Sequence, residues 1–208
     1  MKALLSTTYF GPVQWYQKLY RHEAVEIEQW ESFLKQTYRN RCLIATTQGI
    51  QALTVPIERG TSQLIRDIRI SDHGNWRHLH WNALVSAYGE SPFFEYYQDD
   101  IRPFFENRWD YLFDFNEAIR EKMCELLDIQ PKVGFTDSWV DISEASDSSE
   151  SSDYSDFREA INPKHPLPDP DFVPKLYYQV YQQKHGFLPN LSILDLLFNM
   201  GPEGIFYL

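Results

Sequence analysis

The chain has 208 residues, 43% of them hydrophobic and 16% aromatic, enough to bury a sizeable core. Its 30 acidic side chains against 19 basic ones give a formal net charge of −11, which argues against a nucleic-acid backbone or an anionic membrane surface as partner. Two cysteines, Cys42 and Cys124, provide neither a disulfide framework nor zinc spacing. No stretch has the apolar length of a signal peptide or a membrane span, so a soluble cytoplasmic protein without membrane insertion is expected.

Taken in order, Leu4 to Tyr9 reads as a first strand, broken by Gly11-Pro12. Pro12 opens a helix that carries Val13, Tyr16 and Leu19 or Tyr20 on one face. The alternation in Ala24 to Glu28 predicts a half-buried strand with Val25 and Ile27 inward, and strand, helix, strand over this distance predicts a βαβ unit with parallel strands. The turn from Thr7 to Pro12 is a weak anion-binding candidate at a helix N-terminus, since it lacks a glycine-rich signature. A basic run, Lys35 to Arg41, leads into Cys42 to Ala45, and Ala52 to Ile57 returns as the second strand of a hairpin that Pro56 ends or places at an edge. Leu64 to Ile70 is read as a further alternating strand, giving a mixed or mostly antiparallel sheet from the N-terminal third.

The next stretch, Asp72 to Tyr88, combines three histidines, two tryptophans and a helix signal, with Asp72 or Asn75 as cap. On a helical wheel Trp76, Leu79, His80, Ala83, Leu84, Ala87 and Tyr88 form one apolar arc with His80 at its centre. His78, Asn82 and Ser86 line the opposite side, so His78 and His80 cannot ligate one metal from this helix. His80 is either a core histidine tied to its neighbours or a general acid/base on a cleft floor. Arg77, at the edge of the arc, is a candidate for holding a carboxylate or ligand anion.

Beyond it, an aromatic helix runs from Ser91-Pro92 to about Phe105, and a third helix begins at the capping-box spacing Asp114 to Glu117. That helix buries Ile119, Met123, Leu126 and Leu127, with Cys124 as a core residue, and stops before Pro131. Residues 141–158 read as a disordered acidic insert, since Asp141 to Asp156 holds no basic residue and little that is apolar. A proline-rich connector, Asn162 to Pro174, follows over the surface, and Ser192 caps a short apolar helix that Gly201-Pro202 stops and that docks back on the body. The organisation is thus a main α/β body over 1–135, the insert over 141–158, and the connector with its helix over 159–208.

No Walker loop, GxGxxG, GxSxG, HExxH or CxxC occurs, which removes the common nucleotide, hydrolase and metal readings. Arg39 and Arg41 before Cys42 favour an anion or, less simply, a thiolate nucleophile at Cys42. Five stretches in order carry a resemblance: Tyr9-Phe10-Gly11-Pro12 with Trp15-Tyr16; Tyr38-Arg39-Asn40-Arg41; Leu53-Thr54-Val55-Pro56-Ile57; Trp76, His80, Tyr88 and Pro92-Phe93-Phe94; and Asn190 to Leu197 with Gly201. In these the chain resembles the WbqC-like protein family, whose members are associated with surface-polysaccharide and natural-product pathways. The family often has Gln-Pro ahead of the first aromatic, where Thr7-Thr8 stand here. The resemblance implies a group-transfer enzyme acting on an activated sugar or acyl donor and puts weight on His80 as general base; it specifies no cofactor. Arg39 and Arg41 would hold the donor's anionic part, aromatics such as Tyr9 and Trp76 would wall the cleft, and Asn40 and Arg77 complete the substrate-binding candidates. The rival expectation is a non-catalytic protein that binds a small ligand or recruits a basic partner through the acidic insert.

Overall fold

The computed structural model describes residues 1–58, 60, 63–142 and 154–208. β1 (Lys2–Ser6) is apolar on both faces, as a central parallel strand should be, with Ala3, Leu4 and Leu5 sealed from solvent. Pro12 begins α1 (Val13–Arg21), and β2 (Val25–Glu28) returns parallel to β1, pairing Ala3 with Val25 and Leu5 with Ile27. β3 (Arg41–Thr46) and β4 (Gly49–Thr54) form the expected hairpin, closed at Gly49 with φ +107°, a conformation glycine adopts without strain. The hairpin is a separate two-stranded ribbon.

α2 (Trp76–Tyr88) lies where the wheel put it, but Asn75 makes no side-chain cap bond and Leu79 faces solvent. The aromatic helix divides into α3 (Phe94–Ile101) and α4 (Pro103–Glu106), because Pro103 has no N–H to continue the ladder. α5 (Leu112–Leu126) begins ahead of Asp114, behind Tyr111, so Asp114 and Glu117 lie inside the helix instead of capping it. Glu117 bonds Arg120 and accepts from Thr7 Oγ1.

Two further short strands, β5 (Val133–Phe135) and β6 (Tyr154–Asp156), complete a parallel sheet in the order β5-β2-β1-β6. The α/β class thus stands, with two strands coming from beyond the N-terminal third. β6 corrects the expectation of disorder up to residue 158. Tyr154 and Lys2 both bond Glu26, and Arg158 pairs with Asp156 at 2.8 Å, so the charges that argued for repulsion are matched. The rest of that expectation, residues 143–153, lies outside the described residues.

Leu64 to Ile70 is not a strand either. It holds a 3-10 turn over Ile65–Asp67 between isolated bridges, which puts Ile65 and Ile68 inward and Arg66 outward over the Trp30 ring. A spacing of three is what a 3-10 turn eclipses, whereas alternation would have grouped Arg66 with Ile68.

The tail packs back on this body. Lys18 and Asp169 form an ion pair of 2.7 Å with almost no exposure, and α6 (Gln182–His185) leads to α7 (Ile193–Met200), buried over nearly its whole length. Ser192 caps α7 by accepting from the Leu194 N–H, and Gly201 ends it at φ +54°. Among the described residues no helix is long and apolar enough to cross a membrane.

Candidate functional site

His80 sits in the core, 6% exposed, ringed by Trp76, Tyr9 and Phe105. Its Nδ1 lies 2.9 Å from the Tyr9 hydroxyl, and a backbone hydrogen bond at Thr54 engages the ring as well. The Thr54 bond favours the charged form, so a carbonyl accepts there from the ring N–H, which leaves Nδ1 as acceptor for the tyrosine. Burial dominates all the same and holds His80 down at about 4. The imidazole is therefore neutral at physiological pH, and both of its nitrogens are engaged.

The other sequence candidates diverge. Arg39 is buried and grips Glu31 with two nitrogens while also bonding Ser6 Oγ at 2.9 Å. Asn40 holds the hairpin instead, its Nδ2 on the Val55 carbonyl at 2.8 Å. Arg41 lies on β3 with a buried Nε that has no partner. Tyr9 is sealed beside His80, and Trp76 and Arg77 face a different depression near α4. The N-terminus of α1 is no anion site: the Val13 N–H bonds the Leu191 carbonyl and the Gln14 N–H bonds Asn190 Oδ1, both at 3.0 Å. Cys42 is fully buried, and burial pushes its thiol up to about 12, which removes the nucleophile reading.

What does converge lies at the carboxyl ends of the parallel strands. The chain steps from β1 to β2 to β5 toward one side, while β6 flanks β1 on the other, so the order reverses beside β1. Open α/β sheets bind ligands at such a reversal, outside the carboxyl ends of their strands. A crevice of about 440 Å³ opens there, walled by Trp30 and Trp139 with Glu31, Arg39, Asp156 and Arg158 between them. A separate small cavity of about 10 Å³, which shares Arg39 and Arg158 as lining, touches Ser6, Thr7 and Thr8, and Thr8 Oγ1 is buried without a partner.

The crevice floor is a lattice of charges. Arg158 grips Asp156, reaches Glu28 Oε2 at 3.5 Å, and stacks over Trp139 at 4.4 Å. Glu28 is sealed and accepts from Thr136 Oγ1 at 2.7 Å and from the backbone N–H of Trp30 and Val140. Glu31 accepts from Ser6 Oγ at 2.9 Å, and its burial raises its proton affinity against the pull of Arg39. Buried ion pairs stabilise a fold little for what they cost to desolvate, so two of them sharing one crevice call for a functional reason. Sequence reasoning found Arg39 alone of this set. The pair of Glu28, which ends β2, and Glu31 just beyond it was a usable signal; Arg158 was hidden beside the acidic segment. Among the described residues no cluster of histidine, cysteine or carboxylate groups is placed to hold a metal ion.

No solved structure matches the chain. It is 30% identical over 195 residues to the uncharacterized protein Rv1507c of Mycobacterium tuberculosis (strain ATCC 25618 / H37Rv), an alignment spanning 85% of this chain and 83% of that protein. The model of the WbqC-like protein family matches residues 7–164 and 169–207, the whole crevice included, and on that span the chain belongs to the WbqC-like protein family.

Proposed function

We propose that the protein is a group-transfer enzyme that takes an activated sugar in the crevice at the carboxyl edge of the parallel sheet. The observation that carries this reading is the pairing of two tryptophan faces with a buried lattice of arginines and carboxylates at the point where the strand order reverses. A sugar ring offers apolar C–H faces to an indole and hydroxyls to planar charged groups, so the lining suits it. In this reading Arg39 and Arg158 hold the anionic part of the donor. Glu31 is the proton acceptor for the attacking hydroxyl or amine, because burial already moves it toward the protonated form.

His80 serves the site indirectly. It holds Tyr9, whose backbone N–H bonds the Tyr38 carbonyl at 2.9 Å, next to Arg39. On this reading His80 is a positioning residue, in place of the general base that the family resemblance suggested. The second reading, a binding protein without turnover, is favoured by the arginines already being matched by carboxylates.

The test is calorimetric titration with a panel of nucleotide-sugars, followed by mass spectrometry for transfer to hydroxyl and amine acceptors. Binding that is lost in Trp30→Ala and Arg158→Gln, together with a transferred sugar, supports the enzyme. Binding with no product on any acceptor supports the second reading, and a panel that leaves heat and fluorescence unchanged refutes both.

A further inference from the structure

We infer that a second site, between the start of α2 and the α3–α4 junction, binds a small molecule through a phosphate dianion. The depression there, about 390 Å³, brings together Arg77, Arg102 and Arg108 with His78, Trp81 and Phe105. Its residues are separate from those of the sheet-edge crevice.

Three guanidinium groups against two carboxylates, Asp72 and Glu106, make the depression locally positive in a chain whose formal charge is −11. Asp72 already stands where an anion belongs. One of its oxygens takes Arg77 Nη1 at 2.6 Å and the other lies 3.4 Å from Arg108, although the side chain is 48% exposed. A phosphate has one oxygen more and a second charge, so it replaces this bridge and reaches donors that a single carboxylate leaves idle.

Those donors are present. Nε and Nη2 of Arg77 are buried with no partner, and its guanidinium lies 4.6 Å from the Trp76 ring, which holds the fork in place before any ligand arrives. The first turn of α2 adds little to this: it carries no acidic residue and no side-chain cap, but its Trp76 N–H already bonds the Gly74 carbonyl. Trp81 and Phe105 supply an apolar wall for the organic part of the ligand. Arg102, held by Glu106 at 2.6 Å, marks the opposite rim.

The experiment titrates the full chain with inorganic phosphate and, separately, with uridine monophosphate, by calorimetry at low and at moderate salt. Binding is expected to weaken with salt, at least tenfold in Arg77→Gln and severalfold in Arg108→Gln, while Arg158→Gln, which removes any binding at the sheet-edge crevice, leaves the component at this site with the parent's affinity. Asp72→Asn, which removes the competing carboxylate, is expected to tighten binding severalfold, an outcome that damage to the fold would not produce. Tighter binding of the monophosphate than of phosphate identifies an organic ligand; equal binding identifies the free anion. Arg108 is exposed, so its variant decides the matter should Arg77→Gln not fold. The inference falls if neither probe binds at millimolar concentration, if the arginine variants at Arg77 and Arg108 bind like the parent, or if Arg158→Gln alone abolishes binding.

Discussion

The sealed imidazole of His80 makes a quantitative demand on how stability changes with pH. In the folded chain burial holds it at about 4, against 6.5 for the free side chain. Between these values the unfolded chain binds a proton that the folded chain refuses, so stability is full above the unfolded value and is lost as pH falls. At 1.36 kcal/mol per unit, the loss reaches about 3 kcal/mol by pH 4. The perturbation that isolates it is His80→Asn, whose side-chain oxygen can still accept from Tyr9. The variant gives up the Thr54 bond and starts about 1–2 kcal/mol less stable near neutrality. Urea denaturation from pH 7.5 to pH 4 should then show the two stability curves crossing between about pH 5 and 6, with the variant the more stable by about 1–2 kcal/mol at pH 4. Glu31, Glu117 and Asp195, whose burial raises their proton affinity, contribute with the opposite sign: their cost to stability grows as pH rises through their folded values. Both proteins carry them, so they cancel in the difference. Parallel curves, or an imidazole resonance of His80 titrating near 6.5 in the folded protein, would refute the reasoning.

Three other outcomes follow from the same structure. A Cβ at Gly11 would lie 2.3 Å from Thr8 Oγ1 and 2.9 Å from its Cβ, so Gly11→Ala should cost about 2 kcal/mol in denaturant and disturb ligand binding at the crevice. Burial pushes the thiols of Cys42 up to about 12 and of Cys124 up to about 11, so a disulfide reagent at pH 8 should label neither in the native protein and both after denaturation. Ser192→Ala removes both the α7 cap and a bond of 2.8 Å to the Phe10 carbonyl, and should lower stability by about 2 kcal/mol in a thermal or urea titration.

How far the sequence could be read depended on the range of the interaction. The first βαβ unit was legible because Gly11-Pro12 and the Val25/Ile27 alternation are local signals, and the structure agrees. The burial of His80 was legible from a helical period, while Leu79 on the same arc proved exposed because no element covers that flank of α2. Leu64 to Ile70 failed because Ile68 and Ile70, two apart, fit an alternating strand, whereas the spacing of three between Ile65 and Ile68 belongs to a 3-10 turn. The candidate site was the least legible part. Arg158 meets Glu28 across 130 positions, and the partner that orders β6 is Glu26, also far upstream. Nothing within the acidic segment announces either contact.

The loop between β1 and α1 joins these long-range contacts into one argument about the site. It lines the small cavity beside the crevice with Thr7 and Thr8, and within it Phe10 sits at φ +42°, a conformation that costs a bulky residue about 1–3 kcal/mol. Such strain persists only where the surroundings over-determine the backbone, and here they do so from two directions. His80 fixes Tyr9 from α2, while the tail fixes the other end through Ser192 on the Phe10 carbonyl and the Ile193 N–H on the Gly11 carbonyl. The C-terminal helix is therefore more than a cover for the core, since together with the packing of Phe10 on Phe104 and Phe105 it resists relaxation of this loop. On the proposed reading of the crevice, a tail residue such as Ser192 would then bear on binding through the backbone it holds.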